Sequence, residues 1–104
     1  MEEQKYAFIS QPMKDLPEYE IKLAREKGEK KLKELGYKVI DTYFGEEFEK
    51  DDAPNKGVLY LGKSLMYLAK CEIVYFCKGW EDARGCKIEH EVAKEYDIEI
   101  IYEE

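Results

Sequence analysis

The sequence predicts an α/β domain with four short strands, three helices and a mainly parallel sheet. Two observations lead to this prediction. Short apolar runs rich in β-branched and aromatic residues recur along the chain, as is typical of strands. Longer segments with apolar residues at three- and four-residue steps separate them, as is typical of amphipathic helices. The resulting β-α-β-α-β-α-β order requires right-handed crossovers, which join parallel strands.

Length and composition indicate one water-soluble domain over residues 1–104. The chain is 44% hydrophobic and 39% charged, a balance typical of a globular protein. No apolar run approaches the ~18 residues that span a bilayer, and the first residues lack the basic and apolar regions of a secretory signal. We therefore expect a cytoplasmic protein without membrane association.

The net charge disfavours some classes of partner, and the cysteine spacing disfavours a structural metal and disulfides. A formal net charge of -7 opposes binding to nucleic-acid polymers and anionic membranes, but a few local donors can still hold one mononucleotide. The spacing of Cys71, Cys77 and Cys86 fits neither a zinc site nor a disulfide framework. We expect free thiols and no structural metal.

The first half of the chain carries two predicted strands and one helix. Residues 5–9 (KYAFI) predict the first strand, which stops before Pro12 because proline cannot continue a central strand. Residues 17–35 predict a helix with a glycine directly after it, and residues 37–40 predict the second strand. Residues 41–56 are polar and charged, which predicts a long loop of the kind that often surrounds ligands.

The second half repeats this alternation. Residues 58–69 predict the second helix, and residues 73–76 (IVYF) form the continuous apolar run of a central strand covered on both faces. A turn-rich loop over residues 77–84 follows. Residues 85–96 predict the third helix, and residues 98–102 predict the last strand. The apolar stripe of the third helix comprises Ile88, Val92 and Tyr96.

The expected sheet predicts a ligand site before any motif is considered. If the strands lie in the order 2-1-3-4, the connections leave the first and third strands in opposite directions, and a crevice opens beyond their carboxyl ends. Two loops meet there, residues 10–13 and residues 78–85. We therefore expect the site between these loops.

The second of these loops carries side chains suited to a nucleotide. Arg84 can form two hydrogen bonds with a phosphate or carboxylate, Trp80 offers a stacking surface, and Gly85 lets a ligand approach the backbone. The loop ends at a helix start, whose free amides favour an anion. The alternative is an ordinary surface turn closed by a helix.

Glu89 is the candidate catalytic residue of the third helix. It lies about one turn into the helix, on a row with Cys86 and Ala93 beside the apolar stripe. A glutamate facing the crevice could attack an anomeric carbon if a second acid assists the leaving group; the alternative is that it only complements the helix dipole. Cys86 is interpreted as a packing residue. His90, the only histidine, is interpreted as a surface or supporting residue, since no motif places a nucleophile beside it.

Three segments resemble the nucleoside 2-deoxyribosyltransferase-like superfamily, in particular its short, mostly uncharacterised branch. They are FISQPM at the end of the first strand, LGKSLMYLAKCEIVYF, and GWEDARGCKIEHEVA. The resemblance covers essentially the whole chain. In that family a Gly-x-x-x-Glu-x-x-x-Ala pattern carries the nucleophilic glutamate, and Gly85, Glu89 and Ala93 match it.

The resemblance implies a three-layer, flavodoxin-like (Rossmann-like) fold. It also implies cleavage or transfer of the N-glycosidic bond of nucleosides or nucleotides without a cofactor, usually by a homodimer or larger assembly. The loop after the first strand would hold the sugar or its phosphate, and residues after the second strand would border the base or ribose. These residues are Ser10, Gln11, Pro12 and Met13 in the first loop, and Asp41 and Tyr43 after the second strand.

The chain departs from the family pattern at two places. Ser64 takes the position of an aspartate in the second helix, and a hydroxyl cannot replace its charge. Ala83 and Arg84 precede the glycine of the motif, where the family tends to have Asp or Ser. Asp82 is the candidate replacement for the missing acid if the loop folds back toward the site.

Three functions follow as expectations. The first is an N-glycosidase or deoxyribosyltransferase-like enzyme with Glu89 as nucleophile and Asp82 as acid, in which Arg84 and Ser10 hold phosphate. The second is a module of the same fold that binds or sequesters a nucleotide without turnover. The third is a structural role, favoured if Trp80 and its loop lie in a subunit interface. The expected dimer surface comprises Leu59, Tyr60 and Tyr67 of the second helix.

Overall fold

Four parallel strands form the central sheet of the structure, a computed structural model that describes residues 3–40 and 52–104. The strands are Tyr6–Ser10 (β1), Lys38–Val39 (β2), Ile73–Phe76 (β3) and Glu99–Tyr102 (β4). They lie in the order β2-β1-β3-β4, and every neighbouring pair is parallel. This order confirms the predicted sheet.

Three helices connect the strands: Glu18–Glu34 (α1), Lys56–Leu68 (α2) and Arg84–Glu95 (α3). One turn of 3-10 helix, Trp80–Asp82, lies inside the predicted loop before α3. Within residues 3–40 and 52–104, no helix is long and apolar enough to cross a membrane.

The helices cover both faces of the sheet and complete the predicted three-layer α/β fold. Because successive side chains of a strand point to opposite faces, Ile9 packs on the α1 side, whereas Phe8 and Ser10 face α2 and α3. Each face therefore has its own core. The buried core on the α1 side comprises Ala7, Ile9, Leu32, Ile73, Tyr75 and Cys77. The other comprises Phe8, Leu68, Cys71, Val74, Phe76 and Ala93.

Local sequence signals set two helix ends. Gly36 follows α1 with φ 92°, a left-handed conformation that glycine adopts without strain. The N–H of Tyr37 then donates to the Leu32 carbonyl and closes the helix. α2 begins two residues before its predicted start because Asn55 caps it: the Asn55 side chain accepts a hydrogen bond from the Val58 N–H at 3.0 Å.

α3 buries a different row of side chains from its apolar stripe. Cys86, Glu89 and Ala93 are its buried residues. Ile88 and Tyr96 of the predicted stripe are 43% and 76% exposed. The small side chains of Cys86 and Ala93 let the helix approach the sheet closely, so this row, with the carboxylate of Glu89 in it, faces the sheet.

Candidate functional site

A cavity of about 400 Å³ lies beyond the carboxyl end of β1, between α2 and α3. This is the crevice that the strand order predicts. The end of β1 and the loop after it contribute Phe8, Ile9, Gln11 and Met13. The start of α3 contributes Ala83, Gly85, Cys86 and Glu89.

α2 supplies the remaining wall of the cavity through Gly57, Tyr60, Leu61 and Ser64. These residues are spaced three and four positions apart, so they share one face of the helix. The sequence points to Ser64 and predicts Tyr60 as an exposed residue of a dimer surface; Tyr60 is instead half-buried and lines the cavity. The 57-60-61-64 spacing is the signal that could have identified this wall.

Glu89 is the acidic side chain of the cavity wall. It is 6% exposed, and its Oε1 accepts a 2.7 Å hydrogen bond from the Ser10 hydroxyl. The pairing follows from the alternation of β1, which turns Ser10 toward α3, and from the inward row of α3. This contact thus joins the end of β1 to α3.

The surroundings of Glu89 set its ionisation close to neutrality. Burial raises the pKa of this carboxyl from 4.5 to about 7, and hydrogen bonds from Ser10 and Ser64 oppose the rise by favouring the charged form. At pH 7 the protonated and ionised forms are therefore both populated. A carboxyl in this state can act as a nucleophile when ionised or as an acid when protonated.

The cavity thiol is not a competing nucleophile. Cys86 is buried, and burial raises the pKa of its thiol to about 11, with a smaller opposing effect from a Ser10 hydrogen bond. At neutral pH the thiolate is scarce, so the side chain acts as a small apolar group. Cys71 and Cys77 are also free and buried, as the spacing predicts.

The residues of the loop after β1 do not all face the cavity. Gln11 and Met13 line the cavity. Gln11 Nε2 donates to the Ile21 carbonyl at 2.6 Å, and its buried Oε1 has no hydrogen-bond partner within residues 3–40 and 52–104. Pro12 is outside the cavity lining and lies beside Gly79 in the turn before α3. The loop is thus tied to α1 by Gln11 and borders the second loop through Pro12.

Trp80, Asp82 and Arg84 are not among the residues that line the cavity. The Trp80 ring stacks on His90, with centroids 4.1 Å apart and an interplanar angle of 22°. Asp82 and Arg84 are exposed. The structure therefore brings Gly85 and Glu89 of this segment into the site, and it does not bring Trp80, Asp82 or Arg84 there.

Asp41 and Tyr43, which are predicted to border the base or ribose, lie outside the described residues. Across residues 3–40 and 52–104, no group of three or more His, Cys, Asp or Glu side chains is placed to hold a metal ion. His90 hydrogen-bonds the Tyr102 hydroxyl through Nε2 at 2.7 Å, which gives it a supporting role.

Comparison with known proteins gives a family without an assigned activity. A family model described as "Domain of unknown function (DUF4406)" matches residues 5–102. Neither a curated protein nor a solved structure matches the chain. The family description names no activity, so the resemblance to nucleoside 2-deoxyribosyltransferase-like proteins stays a prediction. Because the match spans nearly the whole chain, the chain belongs to the DUF4406 family.

Proposed function

We propose that this domain cleaves the N-glycosidic bond of a nucleoside or nucleotide, with Glu89 as the nucleophile. One observation carries the proposal: the Glu89 carboxyl is buried in the wall of a cavity at the carboxyl end of β1, with a pKa of about 7. Perturbed carboxyl groups in clefts concentrate at functional sites. The match of Gly85, Glu89 and Ala93 to the nucleoside 2-deoxyribosyltransferase-like motif supports the same role.

The proposed reaction has two steps. The ionised Glu89 carboxylate attacks the anomeric carbon, a carbon–oxygen ester bond forms, and the base departs with the electrons of the broken carbon–nitrogen bond and takes up a proton. Water or a second base then attacks the same carbon and releases the carboxylate. Water gives the free sugar, and a second base gives a new nucleoside. This chemistry requires no cofactor.

The shape and lining of the cavity support a nucleoside-sized ligand. About 400 Å³ falls within the ~300–1,000 Å³ typical of small-molecule sites. The wall is largely apolar, with Gln11, Ser64 and Glu89 as polar side chains and Phe8 and Tyr60 as aromatic ones. Such a lining suits a flat base and a hydroxylated sugar.

The contacts of Ser10 and Arg84 favour an unphosphorylated ligand. Ser10 is buried and donates its hydroxyl to Glu89, and Arg84 is exposed outside the cavity lining. Neither side chain is therefore placed to hold a phosphate. The backbone at Gly85 and Cys86, at the start of α3, is the remaining part of the lining that favours an anion.

A second candidate function is a module that binds the nucleoside or nucleotide without turnover. It is favoured by the position of Asp82, the acid expected to protonate the leaving base, which is exposed and outside the cavity lining. General acid catalysis typically contributes 10²–10⁴-fold to such a reaction. A site without this acid would bind its ligand and react slowly.

We also propose a cytoplasmic homodimer or larger assembly. The three free, buried cysteines suit a reducing compartment, and the assembly follows from the family resemblance. Leu59 and Tyr67 are half-buried, whereas Val58 and Met66 are the exposed large apolar residues of α2. Light scattering of the wild type and of Met66→Glu tests the proposed assembly and its surface on α2. A wild-type dimer that the substitution dissociates supports both, and a wild-type monomer rejects the assembly.

A chromatographic assay for free base tests the proposed activity. Wild type and Glu89→Gln are incubated with nucleosides, deoxynucleoside monophosphates and NAD, and binding is followed in parallel by calorimetry. Glutamine matches glutamate in size but is a poor nucleophile. Base release by the wild type that the substitution abolishes supports the enzyme. Binding without release in either protein supports the binding module, and neither binding nor release rejects both.

A further inference from the structure

We propose that Ser10 and Ser64 are positioning residues that hold the Glu89 carboxylate against the cavity wall, ready for attack. The inference rests on the proposed role of Glu89 as nucleophile. It gives Ser10 a role other than the ligand contact that the resemblance implies, and it gives a role to Ser64, whose hydroxyl cannot replace the charge of the family's aspartate. Ser10 and Ser64 are the only two serines in the chain, so their hydroxyls can be removed one at a time.

The Ser10 hydroxyl contacts the Glu89 carboxyl directly. The hydroxyl is buried, with 1% of the residue exposed, and its Oγ lies 2.7 Å from Glu89 Oε1. A hydroxyl that donates to a carboxylate over this distance forms a strong, charge-assisted hydrogen bond. The bond engages Oε1 and so restricts rotation of the carboxylate about its last bond.

The backbone around Ser10 makes this contact rigid. Ser10 ends β1, a central strand, and is paired in register with Phe76 of β3. Its carbonyl accepts a hydrogen bond from the Cys77 N–H at 3.0 Å. Glutamate has several rotatable bonds, and a nucleophile must stay within a narrow range of positions to react. A hydrogen-bond donor fixed at the end of a central strand restricts the carboxylate to such a range of positions.

Ser64 approaches the same carboxyl from α2. It lines the cavity and lies close enough to lower the pKa of Glu89 by hydrogen bonding. In the part of the chain that the structure describes, the polar groups that face the carboxyl are thus one hydroxyl from β1, one hydroxyl from α2 and, from α3 itself, the Cys86 thiol. Burial keeps that thiol neutral. The two hydroxyls therefore provide the stabilisation that a buried carboxylate needs in order to ionise.

Removing these donors has a predictable direction. A hydroxyl that donates to the carboxylate stabilises the charged form, so its loss raises the pKa of Glu89 further above 7. Hydrogen bonds to charged groups correspond to about one pKa unit or somewhat more. We expect Ser10→Ala to raise the pKa by about one unit and Ser64→Ala to raise it by less.

Carbon-13 NMR titration of the glutamate side-chain carboxyls tests the proposal without any substrate. Glu89→Gln identifies the resonance of interest, because that resonance disappears in the variant. Cys86→Ala is the matched control, since it alters the same cavity wall and keeps both hydroxyls; its Glu89 pKa stays within about half a unit of the wild type. Ser10→Thr keeps a hydroxyl and retains a pKa close to that of the wild type.

An upward shift in Ser10→Ala that Ser10→Thr reverses supports the proposal. A folded Ser10→Ala with an unchanged or lower pKa overturns it. If Ser10→Ala does not fold, Ser64→Ala decides, and an unchanged pKa in that variant overturns the proposal. Where base is released, kcat at pH 7 falls about fivefold in Ser10→Ala with little change in KM, and higher pH restores it. Absence of base release rejects the enzyme alone, because the titration is read independently.

Discussion

Trp80 lies almost flat against His90, and the His90 imidazole in turn hydrogen-bonds the Tyr102 hydroxyl at 2.7 Å. Phe76 completes the group, with its ring centroid 5.3 Å from that of Trp80. These contacts join the turn before α3 to the ends of β3 and β4. The only tryptophan of the chain therefore fixes the start of α3 and, through it, the position of the cavity wall.

Trp80→Ala is expected to destabilise the fold rather than remove a ligand contact. The ring is half-buried and stacked, so we expect a loss of about 2 kcal/mol in the free energy of unfolding, measured by urea denaturation. Trp80→Phe keeps an aromatic ring at the site and should lose less. A Trp80→Ala protein of wild-type stability with abolished ligand binding would instead assign the ring to the ligand.

Gly28→Ala is expected to destabilise the α1 side of the sheet. A Cβ at this position would lie 3.0 Å from Tyr75 Cε1 and 3.4 Å from Ile9 Cδ1, and all three residues are buried. Overpacking of this kind costs about 1–3 kcal/mol, which exceeds the gain of about 1 kcal/mol from replacing a helical glycine. Chemical denaturation gives the net effect.

Gly62→Ala is the control for that experiment. Gly62 also lies inside a helix, but a Cβ there would meet no atom of the described residues within 4 Å outside the helix's own backbone. It should therefore stabilise the protein by up to about 1 kcal/mol, through helix propensity alone. If both substitutions changed the free energy of unfolding by the same amount, the contact with Tyr75 would not destabilise Gly28→Ala.

The ionisation of Glu89 should make stability depend on pH. The unfolded carboxyl ionises above about 4.5, whereas the folded one stays protonated up to about 7, so the folded state binds more protons in this interval. Stability consequently falls as the pH rises from 4.5 to 7. At about 1.4 kcal/mol per unit, the loss is roughly 3 kcal/mol.

Glu89→Gln lacks this titration and serves as the reference. Urea denaturation of both proteins at pH 4.5 and pH 8 should show the wild type losing stability relative to the variant by that amount. A difference between the two proteins that is the same at both pH values would mean that the carboxyl titrates normally in the folded state.

Asn55→Ala should weaken the start of α2. The Asn55 side chain accepts the Val58 N–H at 3.0 Å, and loss of such a cap costs about 1 kcal/mol. Asn55→Asp retains an acceptor and should be close to the wild type in thermal denaturation. If Asn55→Ala melts at the wild-type temperature, the cap does not contribute to stability.

The sheet order could be predicted from the alternation of strands and helices with right-handed crossovers, and that order brings Ser10 and Glu89 to one crevice. The resemblance assigns Ser10 to the sugar or its phosphate, so the hydrogen bond between the two residues is a finding of the structure. Alternation along β1 determines which face Ser10 occupies, and the carboxyl ends of parallel strands meet at one edge. The spacing of the motif places Glu89 one turn into α3. These rules do not require knowledge of how distant side chains pack.

The roles of Trp80, Asp82 and Tyr60 could not be predicted from the sequence in the same way. Trp80 packs against His90 and Tyr102, which come from α3 and β4, and this depends on the tertiary arrangement. The direction of Asp82 depends on a single 3-10 turn. The sequence predicts Tyr60 as a surface residue because the α2 stripe that faces the cavity is mixed in polarity: the 57-60-61-64 spacing marks one helix face, but an apolar pattern alone does not select that face.

Trapping the sugar on the protein tests directly whether Glu89 is the nucleophile. Wild type and Glu89→Gln are mixed with the compound that releases base, quenched in acid within the first turnover, and analysed by peptide mass spectrometry. We predict that the wild type carries the sugar on the peptide containing Glu89 and that the variant carries none. Base release at the wild-type rate by Glu89→Gln, or a sugar attached to another residue, would contradict the account.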